Sequence, residues 1–149
     1  MNDIEINIPE PVLKELRKLF DKHDAAEFCG FYLIKSEDSD DDFNYEVTHE
    51  VSDSDQEVLV DIMKYSDIIV GKQFSVFHSH PISAGKRFGI DILPPSATDI
   101  TTIIKYSLVK FLRKTYFENK SAVTFSNPEK LYESVPEYEI VITKYGYYT

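Results

Sequence analysis

Between Pro9 and about Asp24 the apolar residues Val12, Leu13, Leu16, Leu19 and Phe20 recur at steps of three and four, with Lys14, Glu15, Arg17, Lys18 and Asp21 falling between them. That spacing predicts an amphipathic helix. The pattern then changes. Glu27 to Ser36 (EFCGFYLIKS) is a short apolar and aromatic run, as a buried strand requires, and Phe43 to Ser52 (FNYEVTHEVS) alternates, with Tyr45, Val47, His49 and Val51 on one side. The two runs predict a hairpin closed through the acidic stretch Glu37 to Asp42.

A second helix is expected from a capping pattern, Ser54 to Glu57, with Val58, Ile62 and Tyr65 at helical spacing and an end near Gly71. Phe74 to Pro81 (FSVFHSHP) reads as a strand with Phe74, Val76, His78 and His80 on one face. Pro81 stops it, because proline cannot join a central ladder. A loop containing Gly85 and Gly89 leads to Pro94-Pro95, and a third helix starts at Ser96, with Ile100, Ile103, Ile104, Leu108, Phe111 and Leu112 as its expected apolar stripe and fraying near Glu118. Lys120 to Pro136 shows no clear period, and Tyr138 to Thr143 (YEIVIT) reads as a last core strand before a Tyr-Gly turn. Strands alternating with helices predict one domain over residues 1–149, α/β or α+β in class, with a mixed β-sheet flanked by helices.

Composition narrows the function classes. The chain has 149 residues, 42% hydrophobic, and carries 16 basic against 26 acidic residues, net −10. That charge repels phosphate backbones and anionic membrane surfaces, so neither nucleic acid nor a membrane is an expected partner. Cys29 is the single cysteine, which excludes an internal disulfide and suits a reducing compartment; a cytoplasmic location is expected. No basic-then-apolar leader opens the sequence, and no apolar run approaches the ~18 residues that span a bilayer. The acidic stretch lacks the ligand spacing and central glycine of a calcium loop.

His78 and His80, two apart on a strand, point the same way and can share one cation. Asp99 is the preferred third ligand; Asp91 is a competitor that lacks a serine three residues before it and a helix after it. Ser96 and Asp99 also have the spacing of a capping box, in which the serine oxygen accepts from the Asp99 amide and the acid complements the helix dipole. The two uses are compatible: a carboxylate held in a first helical turn is a well-placed ligand, and two His with one Asp leave a fourth tetrahedral position open, as catalytic zinc sites do.

Three blocks in this order, Glu27-Phe28-Cys29-Gly30, His78-Ser79-His80-Pro81 and Ser96-Ala97-Thr98-Asp99, resemble the JAB/MPN metalloproteases that carry the JAMM motif, over roughly Glu10 to Ser107. The resemblance implies a JAB/MPN-like, cytidine-deaminase-like fold, with Zn2+ held by His78, His80 and Asp99. It implies that Glu27 activates a water and passes its proton to the leaving amine, that Ser96 hydrogen-bonds the oxyanion, and that the substrate is the peptide or isopeptide bond after a ubiquitin-like protein's C-terminal tail. Cys29, two residues beyond Glu27, reads as a core thiol rather than a nucleophile.

Residues 82–95, fourteen in all, separate Pro81 from Ser96, about twice the family's usual spacing, so the intervening chain must leave the site and return to it. Lys86, Arg87, Phe88, Ile90, Ile92 and Leu93 in this excursion suit a grip on an extended substrate tail by strand addition. A small stand-alone member of the family fits a bacterial ubiquitin-like conjugation system of the antiviral kind, phage-tail assembly or sulfur-carrier processing, with a partner subunit as a further expectation. The alternative class is a non-catalytic MPN-type scaffold; such members typically lose a ligand, whereas Glu27, His78, His80, Ser96 and Asp99 are all present.

Overall fold

A computed structural model describes residues 8–34, 45–52, 62–69, 72–118 and 136–149. The first helix, α1 (Glu10–Lys22), forms where the apolar period predicts it and buries Val12, Leu16, Leu19 and Phe20. It is followed by β1 (Phe28–Ile34) and β2 (Tyr45–Val51), an antiparallel pair in which Tyr32 faces Val47 and Gly30 faces His49. A 3-10 turn (Ile62–Tyr65) runs into a one-turn helix, α2 (Ser66–Ile69), and then come β3 (Phe74–Ser79), α3 (Ile82–Arg87), α4 (Ala97–Glu118), β4 (Glu139–Ile142) and β5 (Tyr147–Tyr148). The acidic stretch, the Ser54–Glu57 cap, Gly71 and residues 119–135 lie outside the described residues. Among the described residues, no helix is long and apolar enough to cross a membrane.

The five strands form one mixed sheet in the order β2-β1-β3-β4-β5, with β3 and β4 parallel and the other neighbours antiparallel. The expected class, a mixed sheet flanked by helices, is what the chain adopts. Both faces of the central strands are covered, which is why β1 and β3 read as near-continuous apolar runs. On one face Phe28, Tyr32, Phe77, Ile140 and Ile142 pack against α1. On the other, Phe31, Leu33, Phe74 and Val76 pack with Ile69, and Tyr65 and Tyr106 cover them. Arg17 on α1 donates to the carbonyls of Thr143 and Lys144, fastening the helix to the end of β4.

Two expectations need correction. The excursion is not all loop: Ile82–Arg87 is helical, and it ends at Gly89 with φ 70°, the Ile90 amide donating to Gly85 and the Gly89 amide to Lys86. That is a Schellman ending, and Gly89 supplies the left-handed residue it needs. The α4 stripe is also rotated. Ile103 and Leu112 are partly covered, but Ile100, Ile104, Leu108 and Phe111 are exposed to solvent among the described residues, and the sheet-facing side carries Asp99, Tyr106 and Lys110. A helix turns about 100° per residue, so pointing Asp99 at β3 swings positions 100, 104, 108 and 111 away from the core.

Candidate metal centre

Alternation along the strands places the site on one face of the sheet. Glu27, Cys29, His78 and Glu139 fall on the face opposite α1: Cys29 pairs with His78, and extending that register by two residues sets Glu27 opposite His80. Glu139, paired with Val76, joins the same face from the parallel neighbour β4. The chain at Glu27 is held from both sides. Its carbonyl accepts from Ser52 at 2.8 Å, and the next amide, Phe28 N–H, donates to the Ser79 hydroxyl at 2.9 Å. Glu27 is buried, 5% exposed, although it lies at a strand entrance.

The third component arrives from α4. Ser96 caps the helix: its Oγ accepts from the Asp99 amide at 3.2 Å, while the Ser96 amide donates to Asp99 Oδ2. The capping box forms as the sequence suggests. The same box aims the Asp99 carboxylate back at β3.

There the ligand atoms converge. His78 Nε2 and His80 Nε2 are 3.2 Å apart, His78 Nε2 lies 3.3 Å from Asp99 Oδ1, and His80 Nε2 lies 3.6 Å from Asp99 Oδ2. Zinc–nitrogen bonds of about 2.0–2.1 Å in tetrahedral geometry put neighbouring ligands about 3.3 Å apart, close to the two separations made by His78 Nε2, and one ligand atom from each of the three residues lies within 4.8 Å of the other two. Among the described residues, these three form the one group of His, Cys, Asp or Glu side chains close enough to hold a metal ion. Asp91 is exposed and outside it.

Partners on the far side of each ring decide which nitrogens face inward. His80 Nδ1 lies 2.9 Å from the Leu93 carbonyl, an acceptor, and His78 Nδ1 lies 3.3 Å from Glu139 Oε1. Both contacts call for a proton on Nδ1, which leaves the Nε2 lone pairs directed at one another and at a carboxylate. Three converging lone pairs require positive charge between them.

The acid–base behaviour agrees. Burial pulls His78 down, but hydrogen bonding to Asp99 and Glu139 outweighs it and raises its pKa to about 9. His80 is lowered, first by burial. Burial also works against ionised Asp99, yet hydrogen bonds from His78 and Ser96 hold its carboxyl well below the usual carboxylate range. In the metal-free protein a proton on His78 supplies the positive charge; a divalent cation competes for the same place.

No family model, curated protein or solved structure matches the chain. The functional reading therefore rests on the site itself. Of the five residues singled out from the sequence, the structure brings His78, His80 and Asp99 together, places Ser96 at the cap that orients Asp99, and sets Glu27 immediately before the adjoining strand β1. Sequence reasoning missed two contributors, Glu139 and the Leu93 carbonyl. An acid inside the apolar run YEIVIT was a usable sign of the first; a backbone oxygen leaves none.

Cys29 is buried, and its thiol is pushed up to about 12, first by burial and then by the charges of Glu50 and Glu27. A thiol so seldom ionised is a poor nucleophile. Cys29 of the folded protein is expected to react with a disulfide reagent at pH 8 about a thousandfold slower than in denaturant. Labelling of a full equivalent within minutes under native conditions would contradict that burial.

Proposed function

We propose that this chain is a JAMM-type zinc metallopeptidase, JAB/MPN-like in fold, that hydrolyses the peptide or isopeptide bond following the C-terminal tail of a ubiquitin-like protein. The observation that carries the reading is the triangle of His78, His80 and Asp99, with the buried acid Glu27 one strand away. Two imidazole nitrogens and one carboxylate oxygen suit zinc better than the harder cations, which favour all-oxygen sites. When bound there, zinc would supply Lewis acidity, polarising a scissile carbonyl and lowering the pKa of water.

The rest is done by the chain. His78, His80 and Asp99 would hold the ion, and with three protein ligands would leave it open to solvent or substrate. Glu27, fixed in the backbone by Ser52 and Ser79, takes a proton from the attacking water and returns it to the leaving amine, so one carboxylate serves as base and then as acid. Ser96 Oγ, which accepts from the Asp99 amide, is the hydroxyl that would turn its hydrogen from the Asp99 carboxylate to the carbonyl oxygen of the substrate. The excursion, whose Leu93 carbonyl meets His80, carries exposed Phe88 and Ile90 that would be available to the substrate tail. Because its first six residues are helical, strand addition is confined to the part after Gly89.

Purified protein is expected to contain about one zinc per chain and to cleave a ubiquitin-like protein bearing a C-terminal extension. Removing the metal with a chelator should abolish cleavage, and one equivalent of zinc should restore it. Protein that binds no zinc, with no change on His80→Ala, would favour the scaffold class instead.

A further inference from the structure

We propose that Glu139 is a positioning residue for the metal centre: its carboxylate holds the proton of His78 on Nδ1 and so presents the Nε2 lone pair to the ion. The inference rests on the zinc reading above and extends it to the shell of groups behind the ligands.

The placement is unusual for an acid. Glu139 opens β4, which continues Ile-Val-Ile into the core, and its side chain is only 9% exposed. One oxygen, Oε1, lies 3.3 Å from His78 Nδ1. The other, Oε2, is buried without a hydrogen-bond partner among the described residues. A buried carboxylate with one oxygen unsatisfied is a cost to the fold. An apolar side chain would satisfy β4 better, so the reason for an acid lies in what Oε1 touches. That atom is the His78 ring nitrogen remote from the metal triangle.

The chemistry of that contact is directional. Neutral imidazole carries its proton on one nitrogen only, and just one of the two tautomers offers a lone pair from Nε2. An acceptor fixed beside Nδ1 selects that tautomer, locks the ring plane and makes the other nitrogen a stronger donor; losing such a partner typically lowers metal affinity 10–100-fold. His80 has the same arrangement with a weaker acceptor, the Leu93 carbonyl. The ring-ordering pressure is therefore unequal, and the charged partner serves His78.

The test compares wild type with Glu139→Gln, which keeps an acceptor oxygen, and Glu139→Leu, which keeps the bulk and removes it. Zinc affinity, measured by competition with a chelating indicator, is expected to fall about 10–100-fold in the Leu variant and far less in the Gln variant. In zinc-loaded wild type and Gln variant, the His78 Nδ1-bound proton should be a resolved, slowly exchanging resonance in nitrogen-edited NMR, and it should disappear in the Leu variant. The metal-free Leu variant should melt within about 3 °C of wild type, so a failure to fold would not mimic the effect. If the Leu variant does not fold, the Gln variant still decides: loss of zinc as severe as that caused by His80→Ala would overturn a role based on acceptance alone. Equal zinc affinity and a persisting Nδ1 resonance in the Leu variant would also overturn the proposal, leaving the zinc reading intact. Wild type that takes up no zinc would remove the zinc reading itself.

Discussion

Glu27→Gln is expected to reduce hydrolysis of a tailed ubiquitin-like substrate about a hundred- to ten-thousandfold while zinc content stays at the wild-type level, the range that loss of a general acid–base group produces. The amide is nearly isosteric and cannot take up or deliver a proton, so substrate binding should change little and the loss should appear in kcat. Glu27 belongs to none of the three ligand positions, and its main chain is secured by the Ser52 and Ser79 contacts, so the substitution should not disturb the triangle. Two measurements on one sample, metal content and turnover, check it. Full turnover would remove Glu27 from the chemistry; parallel loss of zinc and turnover would make it a support of the metal instead.

The second large effect is on the fold. Gly30 sits at the middle of β1 between β2 and β3, and a Cβ there would fall on the Thr48 carbonyl oxygen, 2.7 Å from the Phe77 ring and 2.9 Å from His49 Cα. The ring could turn, but the Thr48 oxygen and His49 Cα are backbone and can yield only if β2 moves. Gly30→Ala is expected to cost about 3 kcal/mol or more, at the upper end of overpacking effects and a large part of the 5–15 kcal/mol that holds a domain together. Gly89→Ala is the control: nothing lies within 4 Å of its Cβ, and only its positive φ is offended. A cost of about 1 kcal/mol is expected there. Urea unfolding of both variants checks the contrast, and near-equal midpoints would refute it.

The elements that the sequence made legible are those whose signals are local. The α1 period, the alternation in β2, the proline that stops β3 and the Ser96–Asp99 box each lie within a few residues, and each is found where it was expected. Relations across the chain were not legible. The exposed face of α4 looked like a core stripe because periodicity reports that a helix has an apolar side, but not that a carboxylate elsewhere on it is turned toward two histidines of β3 and its end. The helical start of the excursion was hidden by Gly85, a poor helix former that is nonetheless buried in α3. Glu139 went unread because its meaning depends on the parallel pairing of β3 with β4, two strands about sixty positions apart.

The excursion that returns past Pro94 also hands His80 a backbone carbonyl, that of Leu93. An oxygen of that kind survives every side-chain substitution. An alanine scan through 82–95 that spares Gly85 and Gly89 would therefore leave it in place and score those positions as dispensable to the site; at Gly85 a Cβ would lie 2.7 Å from the Ile90 carbonyl oxygen. Changes in segment length would not be so forgiving: a deletion of one residue before Leu93 shifts which carbonyl meets the ring. In the excursion, side-chain identity outside the two glycines is the free variable and length is the constraint.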